Sequence, residues 1–70
     1  MAELSFSLRG EFIELCKLLK ATGVCESGGS AKYAVSQDMV KVDGQIETRK
    51  GCKIHRGSRI EYNGHTILVQ

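Results

Sequence analysis

The sequence lacks any long apolar run. No segment of about 7–15 apolar residues follows a basic start, as a secretory signal would require. No apolar stretch reaches the roughly 20 residues that a membrane-spanning helix needs. We therefore expect a soluble, cytoplasmic protein with no membrane partner.

The sequence contains three cysteines, and their spacing matches no paired cysteine motif. Cys16, Cys25 and Cys52 are odd in number and form no C-x-x-C motif, which argues against a disulfide framework and a zinc finger. Cys16 falls on an apolar helical face and reads as a core residue. A metal held by Cys52, His55, Cys25 and His65 is an alternative. Because paired ligand motifs are missing, we expect no metal and no cofactor.

Motifs of catalysis are also missing. The sequence contains no nucleophile–base pair and no phosphate-binding glycine motif. His55 lies in a basic stretch, where a surface or phosphate-contacting role suits it better than catalysis. A chain of 70 residues has little room for both a core and a deep pocket. We therefore expect residues 1–70 to form one binding domain that is not an enzyme.

Acidic residues are absent from one part of the chain. Residues 1–30 carry a net charge of −1 and residues 31–70 a net charge of +3. Residues 48–59 contain no acid and five basic residues, which are Arg49, Lys50, Lys53, Arg56 and Arg59. Such clustering indicates an anionic partner, with nucleic acid the first candidate. A solvated basic loop is the alternative.

The first half of the chain predicts a strand and two helices. Residues 4–8 alternate apolar and polar side chains, which is a strand pattern. From Glu11 to Gly23 the spacing is that of an amphipathic helix. Its apolar stripe comprises Phe12, Leu15, Cys16, Leu18 and Leu19. Ser27 is a favourable N-cap for a second helix that runs to about Gln37. The inward face of that helix comprises Ala31, Ala34 and Val35.

The second half predicts two hairpins. Residues 39–42 and 45–47 flank Asp43-Gly44, and residues 59–62 and 65–69 flank Asn63-Gly64. Residues 49–57 form the basic connection between the hairpins. The predicted order is β-α-α-β-β-β-β, an α+β domain.

Several of these residues follow a known pattern. Gly23, Ser27 and Ala31-Lys32 precede V-K-V-D-G at residues 40–44, with Gly57-x-x-Ile60 further on. This pattern resembles the RNA-binding domain named after ribosomal small-subunit protein S-four, whose helix–helix–hairpin core is the alpha-L motif. Residues 26–28, 40–44, 47–50 and 52–54 are similar to the small stand-alone YbcJ-like proteins. The resemblance covers about residues 11 to 62. It implies two packed helices against a small, mainly antiparallel sheet.

The resemblance also implies a convex surface that binds structured RNA, either rRNA or tRNA-like. The deep, narrow major groove of A-form RNA excludes side chains, so structured RNA is held through phosphates and 2′-hydroxyls. Long cationic side chains suit such contacts, and a helix N-terminus adds backbone N–H donors. The candidate RNA-binding residues are Ser27, Lys32, Lys41, Arg49, Lys50, Lys53 and Arg56. We expect a monomer that associates with the ribosome.

Two positions depart from the family pattern. Gly28 stands where family members commonly have arginine, and Glu14-Leu15-Cys16 stands where they often have Arg-Leu-Asp. Three outcomes are open: binding shifts towards Arg49, Lys50 and Lys53, affinity is weak, or RNA is not the main partner. For base stacking, Phe6 and Phe12 are expected in the core, which leaves Tyr33 and Tyr62 as candidate platforms.

A rival interpretation comes from a different functional class. The chain would be a protein-interaction or ribosome-associated adaptor whose basic face binds an acidic partner. DNA binding is less favoured because no recognition helix with base-reading side chains is evident.

Overall fold

Two helices pack on one face of a five-stranded sheet in the computed structural model, which describes residues 2–49 and 51–70. The elements are β1 (Ala2–Phe6), β2 (Ile13–Glu14), α1 (Leu15–Ala21), α2 (Gly28–Ser36), β3 (Val40–Val42), β4 (Gln45–Ile46), β5 (Lys53–Ile54), β6 (Arg59–Tyr62) and β7 (His65–Val69). The strand order is β1-β7-β6-β3-β4, and a separate ladder joins β2 to β5. Only the β1–β7 pair is parallel among these pairings, so the prediction of two helices on a mainly antiparallel sheet is confirmed.

Both predicted hairpins are present, with the predicted turns. Asp43 and Gly44 have φ values of 52° and 85°, and Asn63 and Gly64 have φ values of 48° and 81°. Two consecutive positive φ angles are what a two-residue turn of type I′ requires. The turns fix the register of β3 with β4 and of β6 with β7.

The first helix begins later than predicted. Residues 11–14 lie outside it, because Ile13 pairs with Ile54 and Glu14 with Lys53 in the β2–β5 ladder. α1 therefore starts at Leu15, whose N–H donates to the carbonyl of Cys52 at 2.8 Å. The helix ends as predicted near Gly23, which has a φ of 82°.

Three further expectations need correction. Phe12 was expected in the core, but its side chain is 42% exposed because it precedes β2 and is not on the buried face of α1. The first strand spans Ala2–Phe6, not residues 4–8, and Leu8 lies beyond it with its N–H donating to Gln70. The basic connection contains a strand, β5, that the predicted order of elements does not include.

The second helix matches its prediction closely. The Ser27 hydroxyl accepts a hydrogen bond from the backbone N–H of Ser30 at 3.1 Å, so Ser27 is the N-cap. Lys32 and Ser36 face solvent. The inward face is fully buried and comprises Ala31, Ala34 and Val35.

The core lies between the helices and the sheet. Along β3, Val40 is buried and Lys41 is exposed, which shows that the other face of the sheet is open to solvent. The largest fully buried side chains are Leu15, Leu18, Leu19, Val35, Val40, Ile54, Ile60 and Ile67. Cys16 and Cys25 are buried with them, as expected for Cys16.

Within residues 2–49 and 51–70, neither helix is long and apolar enough to cross a bilayer. The same residues contain no group of three His, Cys, Asp or Glu side chains placed to hold a metal ion.

Candidate nucleic-acid interface

The β2–β5 ladder anchors the basic segment, residues 49–56. Ile54 is buried in the core, while its neighbours Lys53 and His55 are exposed. Arg49 and Lys53 border a shallow hollow of about 410 Å³, which Gly51 and Cys52 also line. The structure thus brings two of the predicted cations to one hollow. Lys50, also predicted to bind RNA, lies outside the described residues.

Arg49 is not an isolated cation, because Glu47 contacts it through both carboxylate oxygens. Nε lies 3.0 Å from Oε2, and Nη2 lies 3.1 Å from Oε1. The backbone N–H of Arg49 also donates to Oε2, at 2.9 Å. These side-chain and backbone hydrogen bonds lower the pKa of Glu47 to about 2. The Arg49 side chain remains 77% exposed, so it can still approach a phosphate.

The hollow also contains a thiol. Burial raises the pKa of Cys52, and the nearby carboxylate of Glu47 raises it further. At neutral pH the thiol is therefore uncharged. Among the described residues, the charged side chains that line the hollow are those of Arg49 and Lys53.

Lys53 and Arg56 are both exposed, and their side chains contact different groups. The ammonium of Lys53 lies 4.9 Å from the centre of the Phe12 ring. Nη2 of Arg56 donates to the carbonyl of Leu8 at 2.9 Å, which ties the segment to the chain before β2. That bond uses one of the five N–H donors of the guanidinium and none of its charge.

Glu14, the acidic departure from the family pattern, forms an ion pair with a residue of the adjacent helix α1. It lies opposite Lys53 in the ladder, but its Oε1 lies 3.1 Å from Nζ of Lys17. An exposed pair of this kind contributes little stability. Lys17 compensates part of the negative charge of Glu14, whose other oxygen, Oε2, lies beside Gly51 of the basic segment.

Lys32 and Lys41 lie on different sides of the fold. Lys32 is exposed on α2, which covers the inner face of the sheet. Lys41 is on the open face, opposite Ile46 on β4 and Glu61 on β6. It lines a second hollow, of about 300 Å³, at the end of the β6–β7 hairpin. These two predicted contacts therefore do not form one flat surface.

Ser27 acts through the helix it caps. Its hydroxyl already accepts the hydrogen bond from Ser30, so its contribution to a ligand would be to fix the N-terminus of α2. A Cβ atom added at Gly28 would meet no atom within 4 Å, so the first atom of a larger side chain has space there.

The burial of the aromatic side chains differs most from what the sequence predicts. Tyr33 is 65% exposed, whereas Tyr62 and Phe6 are partly buried against the core. The exposure of Phe12 was not predicted, because its spacing to Leu15 and Cys16 is the one that a helix would give. The pairing of β2 with a segment some 40 residues away gives no local signal in the sequence.

Comparison with known proteins identifies the family. A family model described as the S4 domain matches residues 6–70. The chain belongs to the S4 domain family. YbcJ of Escherichia coli (strain K12) is 48% identical over 66 residues, which are 93% of this chain and 94% of YbcJ. RlbA of Bacillus subtilis (strain 168), named a probable ribosome maturation protein, is 36% identical over 58 residues, 83% of this chain and 82% of RlbA.

A solved structure agrees in fold. The solution structure of Escherichia coli YbcJ superposes with a TM-score of 0.66 at 46% identity, and covers 99% of this chain and 86% of YbcJ. That structure is described as revealing an alfaL motif involved in RNA binding. The expected resemblance to the S-four domain and to YbcJ-like proteins is confirmed.

Proposed function

We propose that this chain is a non-catalytic RNA-binding domain that contacts the phosphate backbone of structured RNA. The observation that carries the proposal is an S4 domain scaffold with exposed cations along the basic segment. The proposed contact residues are Ser27, Lys32, Lys41, Arg49, Lys50, Lys53 and Arg56. The proposed RNA is ribosomal or tRNA-like, and the protein acts as a monomer.

The arrangement of charge supports contacts with the backbone and not with base edges. Arg49 and Lys53 are long, exposed side chains on either side of a shallow hollow. Phosphate contacts position a protein without reading sequence. We therefore expect the domain to recognise the shape of a folded RNA more than its sequence.

Lys41 has a separate part in this proposal. Because it lies on the open face of the sheet, it would contact a phosphate different from the one held at the hollow. A folded RNA that curves around the hairpin edge could reach both faces, whereas a short straight duplex would reach one. This geometry favours a structured RNA of the ribosomal kind. The name of RlbA, a probable ribosome maturation protein, supports the same choice and a cytoplasmic location.

The proposal is tested by titrating fluorescently labelled RNA with the protein at about 50 mM and 200 mM salt. Each phosphate that is neutralised contributes a slope of about −0.7 to −0.9 in a plot of log affinity against log salt. We expect saturable binding with a slope of about −4 to −5, from the six proposed cations. The absence of binding to any RNA at the lower salt concentration would refute the proposal.

Competition separates RNA binding from the rival function of an adaptor for an acidic protein. Both interactions are electrostatic, so salt dependence alone does not distinguish them. Unlabelled structured RNA should displace the labelled RNA, while polyglutamate at equal charge concentration should not. Displacement by polyglutamate alone would favour the adaptor.

A further inference from the structure

Phe12 presents an aromatic ring on the outer face of the β2–β5 ladder. Ile54 is buried, and Ile13, which pairs with it, packs against the core. Because side chains alternate along a strand, Phe12, which directly precedes β2, lies on the opposite, solvent-facing side together with Glu14, Lys53 and His55. Phe12 is 42% exposed.

Two side chains flank this ring and hold it in place. The ammonium of Lys53 lies 4.9 Å from the ring centre, within the range of a cation–π contact. The His55 ring centre lies 6.3 Å away, with the two ring planes tilted by 58°. Nδ1 of His55 lies 3.0 Å from the carbonyl of Glu11; because a carbonyl only accepts, Nδ1 carries the proton in this bond. The bond fixes the imidazole beside Phe12.

We infer that Phe12, Lys53 and His55 form a stacking site for one unpaired base of the bound RNA. An exposed aromatic face binds any base by stacking, and an adjacent cation binds the phosphate of the same nucleotide. Lys53 belongs both to this site and to the hollow lined by Arg49, Gly51 and Cys52, so the RNA backbone can continue from one into the other. This inference rests on the proposed function.

The occupant must be an unpaired nucleotide, because the bases inside a duplex are already stacked on each other and hide their faces. An acidic peptide would use the charge of Lys53 but not the face of Phe12. The site therefore favours RNA that has a single-stranded end, loop or bulge next to a helix. Such a preference goes beyond contact with the phosphate backbone alone.

The test compares two RNAs, a blunt hairpin and the same hairpin with a short unpaired 3′ overhang that contains 2-aminopurine. We expect the protein to bind the overhang RNA about tenfold more tightly. Phe12→Leu should lower that affinity to the level of the blunt hairpin and leave blunt-hairpin binding unchanged. Phe12→Tyr should keep the preference. Stacking on the ring should quench 2-aminopurine with the wild-type and Tyr proteins, but not with the Leu variant.

Tyr33→Leu tests the rival platform, because Tyr33 is the exposed aromatic residue that the sequence favours for stacking and it lies on α2, not on the ladder. It should leave both affinities and the quenching unchanged. Equal affinity of the wild-type protein for the two RNAs would overturn the stacking site and leave the proposed function standing. An equal loss for both RNAs in a folded Phe12→Leu variant would also overturn it. Failure of the wild-type protein to bind either RNA would refute the proposed function, and the stacking site with it.

Discussion

Glu14 and Lys53 lie opposite each other on β2 and β5, yet each directs its charge to a different neighbour. The Glu14 carboxylate lies 3.1 Å from the ammonium of Lys17, and the Lys53 ammonium lies over the ring of Phe12. Lys53 therefore remains a cation that an RNA phosphate can reach. The acidic residue at position 14, which departs from the family pattern, pairs with Lys17 and not with Lys53.

Reversing charge in the basic segment should weaken RNA binding. We predict that Lys53→Glu lowers affinity about tenfold, since it replaces a charge-assisted phosphate contact by repulsion. Combining it with Lys50→Glu should lower affinity by roughly a hundredfold if the two sites act independently. Fluorescence anisotropy with a structured RNA measures the change.

Lys20→Glu is the control for this prediction, because it makes the same charge change in the last turn of α1, away from the segment. Its affinity should change by less than about threefold. Circular dichroism verifies that each variant is folded. Unchanged affinity in a folded Lys50→Glu, Lys53→Glu double variant would show that the proposed surface is wrong.

Restoring the family's arginine should strengthen binding. Gly28 is the first residue of α2, and a Cβ atom added there meets nothing within 4 Å. We predict that Gly28→Arg tightens RNA binding by about threefold to tenfold through one added phosphate contact. Gly28→Ala separates charge from helix propensity: it should stabilise the fold by about 0.4–1 kcal/mol without changing affinity. Equal affinities of the two variants would argue against a phosphate near this helix terminus.

The Glu47–Arg49 pair gives a prediction about pH. Glu47 has a pKa of about 2 in the folded protein, below its usual 4.5. Its charged form therefore stabilises the fold above pH 4.5, and this stabilisation is lost as the pH falls towards 2.

An NMR titration of the Glu47 side-chain carboxyl carbon checks this assignment. The midpoint should lie near pH 2 in the wild-type protein and move towards 4.5 in Arg49→Ala. Arg59→Ala, which removes a different exposed arginine, should leave the midpoint in place. A midpoint near 4.5 in the wild-type protein would mean that the two side chains are not paired in solution.

Capping of α2 should contribute measurably to stability. Ser27→Ala removes the acceptor for the N–H of Ser30 and should lower the free energy of unfolding by about 1 kcal/mol in urea denaturation. Ser36→Ala, at the other end of the helix, should change it by less than about 0.5 kcal/mol. Equal effects of the two substitutions would contradict the capping role.

Local chemistry explains which parts of the fold could be predicted from the sequence. Asp43-Gly44 and Asn63-Gly64 favour positive φ angles by themselves, and Ser27 supplies its own capping oxygen. The hairpins and α2 were therefore predicted close to their true positions. The family pattern of residues 23–44 reflects the same local features.

The β2–β5 ladder could not be predicted in this way. Ile13 and Ile54 are far apart in sequence, and a two-residue ladder leaves almost no periodic signal in either segment. Leu15, Cys16 and Leu19 lie on the buried face of α1, as their spacing predicts. Phe12 matches that spacing only by coincidence, because tertiary pairing places the residues before Leu15 in the β2–β5 ladder. The composition of the candidate site was visible in the sequence, whereas the pairing of Arg49 with Glu47 and the position of Lys53 over Phe12 required the structure.

Nuclear magnetic resonance mapping tests the central claim most directly. Labelled protein is titrated with a structured RNA hairpin that carries an unpaired end, and amide shifts are followed by residue. The account predicts that the largest shifts occur in residues 49–56, with further shifts at Phe12, Lys32 and Lys41. Shifts absent from residues 49–56 and concentrated at the end of α1 or on β1 would contradict it.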